Sequence, residues 1–281
     1  MENKKIIVTG GKGMLATDLL GELANTNHTI ISVDLDGLDI TDEKTVHQFV
    51  DSHKPDILIN LAAYTAVDKC ESDPIAEKVN GVALKYLSEA CVKNKTKLIH
   101  FSTDYIFSDQ YSNPILETEK TNPINAYGKG KLLGEENILK TKDLDYLIFR
   151  VQWLYGKNGK NFVDTMLKLA ETKTELKVVS DQIGRPTSTK FLAKLILEVI
   201  EQNLKGIYHL GPQDSCSWFE FAEYILKDTN CKVFPIPSTE YPTPAKRPLY
   251  SVLSIEKIKR DLKSKNLDKT WKELLDEYRN S

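Results

Sequence analysis

Short apolar runs alternate with longer amphipathic stretches in the first half of the chain, as expected of β–α–β units on a parallel sheet. The short runs are rich in β-branched and aliphatic residues, whereas the longer stretches repeat apolar residues at intervals of three and four. This order predicts an α/β fold with a doubly wound parallel sheet of the Rossmann type. The predicted strands are Lys5–Thr9, Thr29–Val33, Ile57–Asn60, Lys97–Ser102 and Tyr146–Arg150. The predicted helices are Met14–Ala24, Glu43–Ser52, Ile75–Val92 and Tyr127–Leu139.

The pattern changes after Arg150, where glycines and prolines interrupt shorter elements. We therefore predict a first domain over residues 1–150 and a smaller, loop-rich lobe over residues 151–281. A strand near Lys177–Val179 and a helix near Lys190–Gln202 can also return to the first sheet. Residues of about 176–203 are accordingly expected either in the second lobe or packed back onto the first domain.

Composition and charge exclude several classes of partner. The 281 residues carry 38 Lys and Arg against 40 Asp and Glu, a formal net charge of -2 with the signs interspersed. No basic patch for phosphate backbones is apparent, so nucleic acid is not an expected partner. The apolar run in the first eight residues is far shorter than a signal h-region, and charges break later runs before about 18 residues. We expect a cytoplasmic protein without a membrane partner.

The cysteines and histidines give no sign of a disulfide framework or a metal site. Cys70, Cys91, Cys216 and Cys231 form no C-x-x-C pair and are too few to staple a chain of this length. The five histidines show neither H-E-x-x-H nor H-x-H spacing. We expect reduced thiols and no metal.

A glycine-rich turn follows the first predicted strand. Gly10, Gly13 and Ala16 form a G-x-x-G-x-x-A pattern before a helix, which lets the backbone approach a pyrophosphate at the helix N-terminus. About twenty residues later, Asp34 ends the second strand, where a carboxylate accepts from an adenosine ribose hydroxyl. Together these residues predict a nicotinamide dinucleotide site. The alternatives are a ligand-free glycine turn and a solvated carboxylate at a strand end.

The same carboxylate indicates which dinucleotide is preferred. Asp34 favours NADH over NADPH, because it would repel a 2′-phosphate and no arginine lies nearby to bind one. Either cofactor stays possible on the sequence alone. Asp39 and Ile40 follow a glycine turn and either flank the adenine or belong to a helix N-cap region with Thr41 and Asp42.

Tyr127 and Lys131 lie four residues apart, which places both on one face of a predicted helix. The pair Tyr146 and Arg150 has the same spacing within a predicted strand, so spacing alone does not identify chemistry. Tyr127 differs because it begins a helix after a proline-bearing loop. Thr103 ends the strand before that loop. We expect it to face the crevice of the glycine turn, since the first and fourth strands are neighbours in a Rossmann order; the alternative is a plain turn residue.

These motifs and several further stretches resemble the dTDP-4-dehydrorhamnose reductase family of extended short-chain dehydrogenase/reductases. The glycine turn and the Tyr–Lys pair indicate only the superfamily. The stretches Ala-Ala-Tyr-Thr-Ala-Val-Asp-Lys at 62–69 and Ser-Thr-Asp-Tyr-Ile-Phe at 102–107 point more narrowly to this family. Asp181–Thr187 and Arg247–Pro248 extend the likeness over nearly the whole chain.

The resemblance implies NAD(P)H-dependent reduction of the 4-keto group of dTDP-4-dehydro-L-rhamnose to dTDP-L-rhamnose, for deoxysugar and cell-surface polysaccharide synthesis. It implies an NAD(P)-binding first domain, a substrate-binding second lobe and a dTDP-sugar as partner. Tyr127 would be the proton donor, Lys131 its partner and Thr103 a hydrogen-bond donor to the substrate oxygen. The residues implied to line the cofactor, besides Tyr127 and Lys131, are Gly10, Gly13, Met14, Leu15, Asp34, Asp39, Ile40, Ala62, Ala63, Tyr64 and Phe101.

Four residues are implied to contact the substrate. Thr103, Asp104 and Trp153 would contact the sugar, although Trp153 can instead be a core aromatic where the domains join. Arg247 is a candidate pyrophosphate ligand, because a guanidinium holds phosphate oxygens in a bidentate manner; the alternative is a surface arginine. We also expect the ammonium of Lys131 to favour the phenolate and so lower the pKa of Tyr127.

Two other functions compete with simple reduction. A related nucleotide-sugar dehydratase or epimerase is one, but dehydratases of this superfamily typically place Asp-Glu after the threonine, and here Tyr105 follows Asp104. The other is a non-catalytic NAD(P)-binding subunit that resembles the accessory subunit of methionine adenosyltransferase. A homodimer is possible, and some family members hold magnesium at a dimer interface, but no ligand pattern here supports a transfer of that site.

Overall fold

The computed structural model describes residues 3–280, so Met1, Glu2 and Ser281, at the ends of the two predicted domains, lie outside the described residues. Its central feature is a parallel sheet of six strands, accompanied by three strand pairs. The strands are β1 (Lys5–Thr9), β2 (Thr29–Val33), β3 (Ile57–Asn60), β4 (Lys97–Thr103), β5 (Tyr146–Val151), β6 (Leu154–Tyr155), β7 (Glu175–Val179), β8 (Ile183–Gly184), β9 (Thr187–Ser188), β10 (Gly206–His209), β11 (Cys216–Ser217) and β12 (Lys232–Ile236).

The helices begin at polar N-caps in several places. Asp42, for example, accepts a hydrogen bond from the Thr45 backbone N–H, and Asn125 accepts one from Gly128. The helices are α1 (Met14–Leu23), α2 (Glu43–His53), α3 (Ile75–Glu77), α4 (Ala83–Asn94), α5 (Ala126–Lys140), α6 (Phe162–Ala170), α7 (Thr189–Gln202), α8 (Trp218–Ile225), α9 (Glu256–Leu262) and α10 (Trp271–Arg279).

The predicted fold class and the elements of the first half are confirmed. All five predicted strands are present, and the predicted helix over Ile75–Val92 is α3 and α4 joined by a π-helical stretch, Lys78–Val82. The sheet order is β10-β5-β4-β3-β1-β2. The expectation that the first and fourth strands are neighbours is wrong, because β3 lies between them. The carboxyl ends of β1, β3 and β4 nevertheless meet at one edge.

The second half of the chain contributes to the sheet differently from the prediction. The strand expected near Lys177–Val179 is β7, which pairs with β12 outside the main sheet. The strand that joins the main sheet is β10, which pairs with β5. Helix α7 packs on α1 in the core cluster of that face, which is one of the two placements considered for it. The boundary at residue 150 stays a prediction.

Apolar side chains cover both faces of the main sheet. One cluster joins the sheet to α1 and α7, and a second joins it to α2 and α4. Strands β3 and β4 are buried along their whole lengths, which explains their nearly continuous apolar runs. A third cluster lies beneath α6, α8 and α10. Among residues 3–280, no helix combines the length and apolar character needed to cross a bilayer.

Candidate active site

The glycine turn lies between β1 and α1. Gly10 has φ +66°, and a side chain there would place its Cβ 2.7 Å from the backbone nitrogen of Ala62. Gly13 is the N-cap of α1, where no side chain caps the helix. The first-turn amides, from Met14 and Leu15 onward, are therefore left to other acceptors. A pyrophosphate fits this cradle, since N–H groups and the helix dipole favour an anion.

Asp34 lies beside this turn, at the end of β2. Its carboxylate accepts hydrogen bonds from the backbone N–H groups of Lys12 (2.9 Å) and Leu35 (2.8 Å). The Lys12 ammonium donates to Asp36 at 2.7 Å, and these carboxylates raise the pKa of Lys12. A cavity of about 420 Å³ opens between these groups and Gly37. Lys12 is not among the residues predicted from the sequence, and it places a cation beside Asp34 and Asp36.

A larger cavity of about 670 Å³ follows the carboxyl edge of the sheet from the glycine turn to β5. It brings together most of the residues that the sequence singled out. The predicted residues that line it are Gly13, Met14, Leu15, Ala62, Ala63, Phe101, Thr103, Asp104, Tyr127, Lys131 and Trp153. The cavity therefore has hydroxyl, carboxylate and amine side chains at one end and the start of α1 after the glycine turn at the other.

Thr103 and Tyr127 meet inside this cavity. Thr103 is the last residue of β4, and Tyr127 is the second residue of α5. The Thr103 hydroxyl lies close enough to the Tyr127 phenol to oppose the rise in the pKa of Tyr127. It donates a hydrogen bond to a carboxylate oxygen of Asp104 at 3.0 Å. A carbonyl oxygen bound next to both hydroxyl groups could receive two hydrogen bonds.

The electrostatic surroundings of Tyr127 differ from the expectation. Burial and the negative charge of Asp104 raise its pKa above the ordinary value of 10. The prediction that Lys131 lowers this pKa is wrong here, because the ammonium donates instead to the Phe101 carbonyl at 2.5 Å and lies 3.3 Å from His100 Nε2. A phenol with a raised pKa stays protonated at neutral pH, which is the state that a proton donor needs.

Lys131 itself is almost fully buried, and burial lowers its pKa to about 8. Its neighbour His100 lies within β4, and Asn60 of β3 contacts the other nitrogen of the His100 ring at 3.1 Å. The sequence analysis missed both residues. The available signal was the presence of polar residues in strands that are otherwise continuously apolar.

Asp104 is buried beneath the reaction centre, and burial raises its pKa to about 6. Gln152, which follows β5, lies with its amide nitrogen 3.4 Å from this carboxylate and donates to the Ser251 carbonyl at 2.9 Å. The Ser251 side chain lies close enough to Asp104 to oppose the rise in the pKa of that carboxyl. Gln152 and Ser251 are further site residues that the sequence did not reveal, because they lie about 100 positions apart.

Trp153 forms an aromatic wall of the cavity. Its ring stacks on Trp218, with ring centroids 3.6 Å apart and an angle of 11° between the planes. Both indoles line the cavity, and Phe162 packs against Trp218. Trp153 also has φ +49°, a conformation that bulky side chains seldom adopt. The position of Trp153 combines the two alternatives, because its ring lines the cavity and also packs on Trp218 of the second lobe.

Besides Gly10 of the turn, which lines neither cavity, three residues implied to line the cofactor lie elsewhere. Asp39 accepts hydrogen bonds from the backbone and hydroxyl of Thr41, and Ile40 is buried in the core beside α2. The Tyr64 hydroxyl donates to Asp73 at 2.8 Å. None of the three lines either cavity described above, so their contact with a cofactor stays a prediction.

Arg247 does not line the cavity but lies behind its rim. It forms a bidentate ion pair with Asp68, at 2.7 and 3.0 Å, and lies near Tyr105, which does line the cavity. Asp68 belongs to the Ala-Ala-Tyr-Thr-Ala-Val-Asp-Lys stretch, so the ion pair joins two of the motifs. A pyrophosphate would compete with Asp68 for this guanidinium.

One group of side chains bears on the expectation of no metal. Within residues 3–280, ligand atoms of Glu43, His47 and Glu89 lie within 4.8 Å of one another, on the outer faces of α2 and α4. Spacing rules could not find this group, because Glu89 comes from a different helix. The Lys85 ammonium lies 3.9 Å from Glu89 and partly neutralises it.

Comparisons with known proteins agree with this geometry. The family model described as "RmlD substrate binding domain" matches residues 4–280. The chain is 39% identical to the spore coat polysaccharide biosynthesis protein SpsK of Bacillus subtilis (strain 168), over 98% of this chain and 96% of that protein. A dTDP-4-dehydrorhamnose reductase structure from Clostridium acetobutylicum ATCC 824 superposes with a TM-score of 0.94 at 41% identity, over 98% of both chains. Another, from Bacillus anthracis in complex with NADP, gives 0.94 at 35% identity over 99% of both.

Proposed function

This chain belongs to the RmlD substrate binding domain family, and on that premise we propose that it is an NAD(P)H-dependent reductase of a nucleotide sugar. It reduces the 4-keto group of dTDP-4-dehydro-L-rhamnose and yields dTDP-L-rhamnose, a precursor for cell-surface polysaccharide. The observation that supports this most is the meeting of Thr103, Tyr127 and Lys131 in the cavity that also reaches Gly13 of the glycine turn.

Thr103, Tyr127 and Lys131 each have a separate role in the proposed reduction of the ketone. A reduced nicotinamide, when bound, supplies a hydride to the carbonyl carbon. Thr103 donates a hydrogen bond where negative charge develops on the carbonyl oxygen. Tyr127 donates its phenolic proton to that oxygen, which completes the alcohol and leaves a phenolate. Lys131 donates to the Phe101 carbonyl, and an ammonium N–H not used by Phe101 or His100 would hold a ribose hydroxyl of the cofactor.

The remaining cavity residues hold the sugar. Asp104 accepts hydrogen bonds from sugar hydroxyl groups, and Trp153 offers an apolar ring face to the methyl side of a 6-deoxy sugar. Arg247 holds a phosphate oxygen of the dTDP group when it exchanges Asp68 for substrate. Both substrate and cofactor roles rest on side chains at the carboxyl edge of the parallel sheet, where ligands of such folds bind.

NADH is the favoured cofactor in this proposal, and NADPH is also accepted. Asp34 favours a free ribose hydroxyl, whereas the Lys12 ammonium, 2.7 Å from Asp36, can turn toward a 2′-phosphate. The dual arrangement fits the relative that was solved with NADP. A homodimer and a cytoplasmic location stay predictions; light scattering of the purified protein tests the first.

The test is to incubate the purified protein and reduced cofactor with a panel of 4-keto-6-deoxy sugar nucleotides, and to follow the loss of nicotinamide absorbance. We expect one reduced cofactor consumed per dTDP-L-rhamnose formed, with the product identified by NMR. A dehydratase or epimerase would consume none in net terms. A protein that binds the reduced cofactor but does not oxidise it in the presence of any keto sugar would instead be a regulatory subunit.

Replacement of the proton donor provides the matching variant. Tyr127→Phe should lower kcat by about 10²–10⁴-fold, because the alcohol oxygen loses its positioned acid. Cofactor affinity, measured by fluorescence titration, should change little. Tyr146→Phe is the control, since Tyr146 has a basic residue at the same spacing but lies in β5. Equal activity of Tyr127→Phe and Tyr146→Phe would remove Tyr127 from the mechanism.

A further inference from the structure

A buried chain of hydrogen bonds leads from Lys131 into the centre of the sheet. The Lys131 Nζ lies 3.3 Å from His100 Nε2, His100 Nδ1 lies 3.1 Å from the Asn60 amide nitrogen, and the Thr9 hydroxyl donates to the Asn60 oxygen at 2.6 Å. All four side chains are at most 2% exposed. The chain crosses α5, β4, β3 and β1 in order, and the mechanism above uses only its first member.

The donors and acceptors in this chain permit two arrangements. An ammonium only donates, so His100 Nε2 must accept from charged Lys131, and the ring proton then lies on Nδ1. That proton needs the Asn60 oxygen as its acceptor, with the amide NH₂ turned to Thr9. In the orientation found, the NH₂ group faces Nδ1 and the oxygen accepts from Thr9. This orientation requires the proton on Nε2, which can donate only to a neutral Lys131 amine.

We propose that His100 and Asn60 are positioning residues that couple the charge of Lys131 to the tautomer of the buried imidazole. Their importance for turnover rests on the proposed function, whereas the coupling itself does not. When Lys131 loses its charge, the ammonium proton passes to Nε2, the Nδ1 proton leaves to solvent, and the Asn60 amide turns over. One proton is released in total, and the ring stays neutral throughout.

The charges around Lys131 support an exchange at moderate pH. Burial is the larger influence and lowers its pKa to about 8, whereas Glu135, one turn along α5, raises it. Glu135 is itself paired with Arg150 of β5. His100 faces the ammonium from β4, and burial together with Lys131 holds the pKa of His100 well below its ordinary value. Tyr127 on the cavity side has a raised pKa, so it does not titrate in this range.

Nitrogen NMR of ¹⁵N-histidine-labelled protein tests the coupling directly. Below the pKa of Lys131 we expect His100 to carry its proton on Nδ1, and above it on Nε2, so the two ring signals exchange character between pH 6 and 10. His209 is the internal control, because it is equally buried but faces Arg150 at 3.3 Å, which keeps its charge. His100→Gln assigns the signals, and Lys131→Met should abolish the exchange.

A His100 tautomer that stays constant from pH 6 to 10, or that changes unaltered in Lys131→Met, would overturn the proposal. This measurement uses no substrate. Failure of every keto sugar to react would therefore remove the proposed function and leave the coupling standing, whereas an active enzyme with a constant tautomer would remove only the coupling.

Kinetics give the second readout. Asn60→Leu removes the acceptor that the charged state needs, so the basic limb of the kcat profile should move about one pH unit lower. His100→Gln keeps a hydrogen-bond acceptor and a donor, so the midpoint of the basic limb should stay within a few tenths of a pH unit. His100→Leu keeps neither group and should lose activity. An unchanged basic limb in active Asn60→Leu would contradict the proposal. If that variant does not fold, the NMR titration of the unmodified protein decides alone.

Discussion

At the scale of single residues, two carboxylates and one cation line the cavity that we propose for the ribose end of the cofactor. Asp34 is held by two backbone N–H groups, whereas Asp36 is engaged by Lys12. Asp34→Ala removes the charge that repels a 2′-phosphate and leaves the Lys12 cation in place. We expect the kcat/KM ratio of NADPH to NADH to rise about tenfold, equivalent to about 1.4 kcal/mol.

Two further variants separate the contributions at this end of the site. Asp36→Ala frees the Lys12 ammonium and should shift the same ratio toward NADPH. Asp39→Ala should leave it unchanged, because Asp39 is bonded to Thr41 and lines neither cavity. A ratio that responds to Asp39 and not to Asp34 would reverse the assignment of the ribose ligand.

The pKa of Asp104 predicts a dependence of stability on pH. Burial raises this pKa from 3.8 to about 6, so the native state binds the proton more tightly than the unfolded state does. Unfolding free energy therefore falls as pH rises from about 4 to 6, and the penalty persists above that range. Asp104→Asn removes the penalty, so its stability relative to the unmodified protein should improve by about 1–3 kcal/mol between pH 4 and 7. Thermal unfolding of both proteins at several pH values measures this difference.

The residues that we propose to react were singled out from the sequence because each has a local signature. Thr103 ends an apolar strand, and Tyr127 and Lys131 share a helix face. Their partners could not be found in this way, because His100 lies on β4 and Gln152 lies just after β5, and neither has a local signature that links it to the site. The four-residue spacing also predicted the wrong direction for the pKa shift of Tyr127, because buried acceptors at Phe101 and His100 set the direction of the Lys131 side chain.

At the scale of elements, the position of α5 depends on its close approach to the π-helical stretch Lys78–Val82. A Cβ at Gly134 would lie 2.4 Å from the Asn80 carbonyl oxygen, which is backbone and cannot move aside easily. Gly134→Ala should therefore destabilise the protein by about 1–3 kcal/mol. It should also lower kcat, because the displaced helix carries Tyr127 and Lys131. Thermal unfolding and steady-state rates check both effects.

Gly21 provides the matched control for that substitution. It lies within α1 and is exposed, and a Cβ added there would have no neighbouring heavy atom of residues 3–280 within 4 Å outside its own helix backbone. Gly21→Ala should stabilise the protein by about 0.5–1 kcal/mol through helix propensity alone. A similar loss of stability in the two variants would mean that the close approach of α5 is not the cause.

Elements were predictable wherever periodicity and turn chemistry agreed. The strands and helices up to β5 have their own apolar patterns and were located closely. Strand β10 was not predicted, because Gly206–His209 is four residues long and gains its place by pairing with β5. Strand β7 was predicted as a strand, but the strand that pairs with it was not predicted. The choice between β12 and the main sheet depends on packing between residues far apart in sequence.

At the scale of the whole molecule, a buried ion pair joins the helix of the reaction centre to parts of the chain that lie far apart in sequence. Arg150 of β5 pairs with Glu135 of α5 at 2.7 Å, with both side chains at most 4% exposed. The same guanidinium donates to the Glu117 carbonyl at 3.1 Å and lies 3.3 Å from His209 of β10. The sequence drew attention to Arg150 only because it lies four residues after Tyr146. In the structure, its contacts with Glu117 and His209 connect the two halves of the chain.

Removal of one charge from this pair should destabilise the entire fold. Glu135→Gln keeps the shape of the side chain but leaves Arg150 buried without a counter-ion, so we expect a loss of about 3–5 kcal/mol. Glu136→Gln is the control, because Glu136 pairs with Lys140 on the exposed side of the same helix, where such pairs contribute about 0–1 kcal/mol. Denaturant unfolding followed by Trp fluorescence compares the two. If the buried pair anchors β10 and α5 together, Glu135→Gln should also expose the β10 amides to hydrogen exchange, whereas a loss confined to α5 amides would restrict the role of the pair to its own helix.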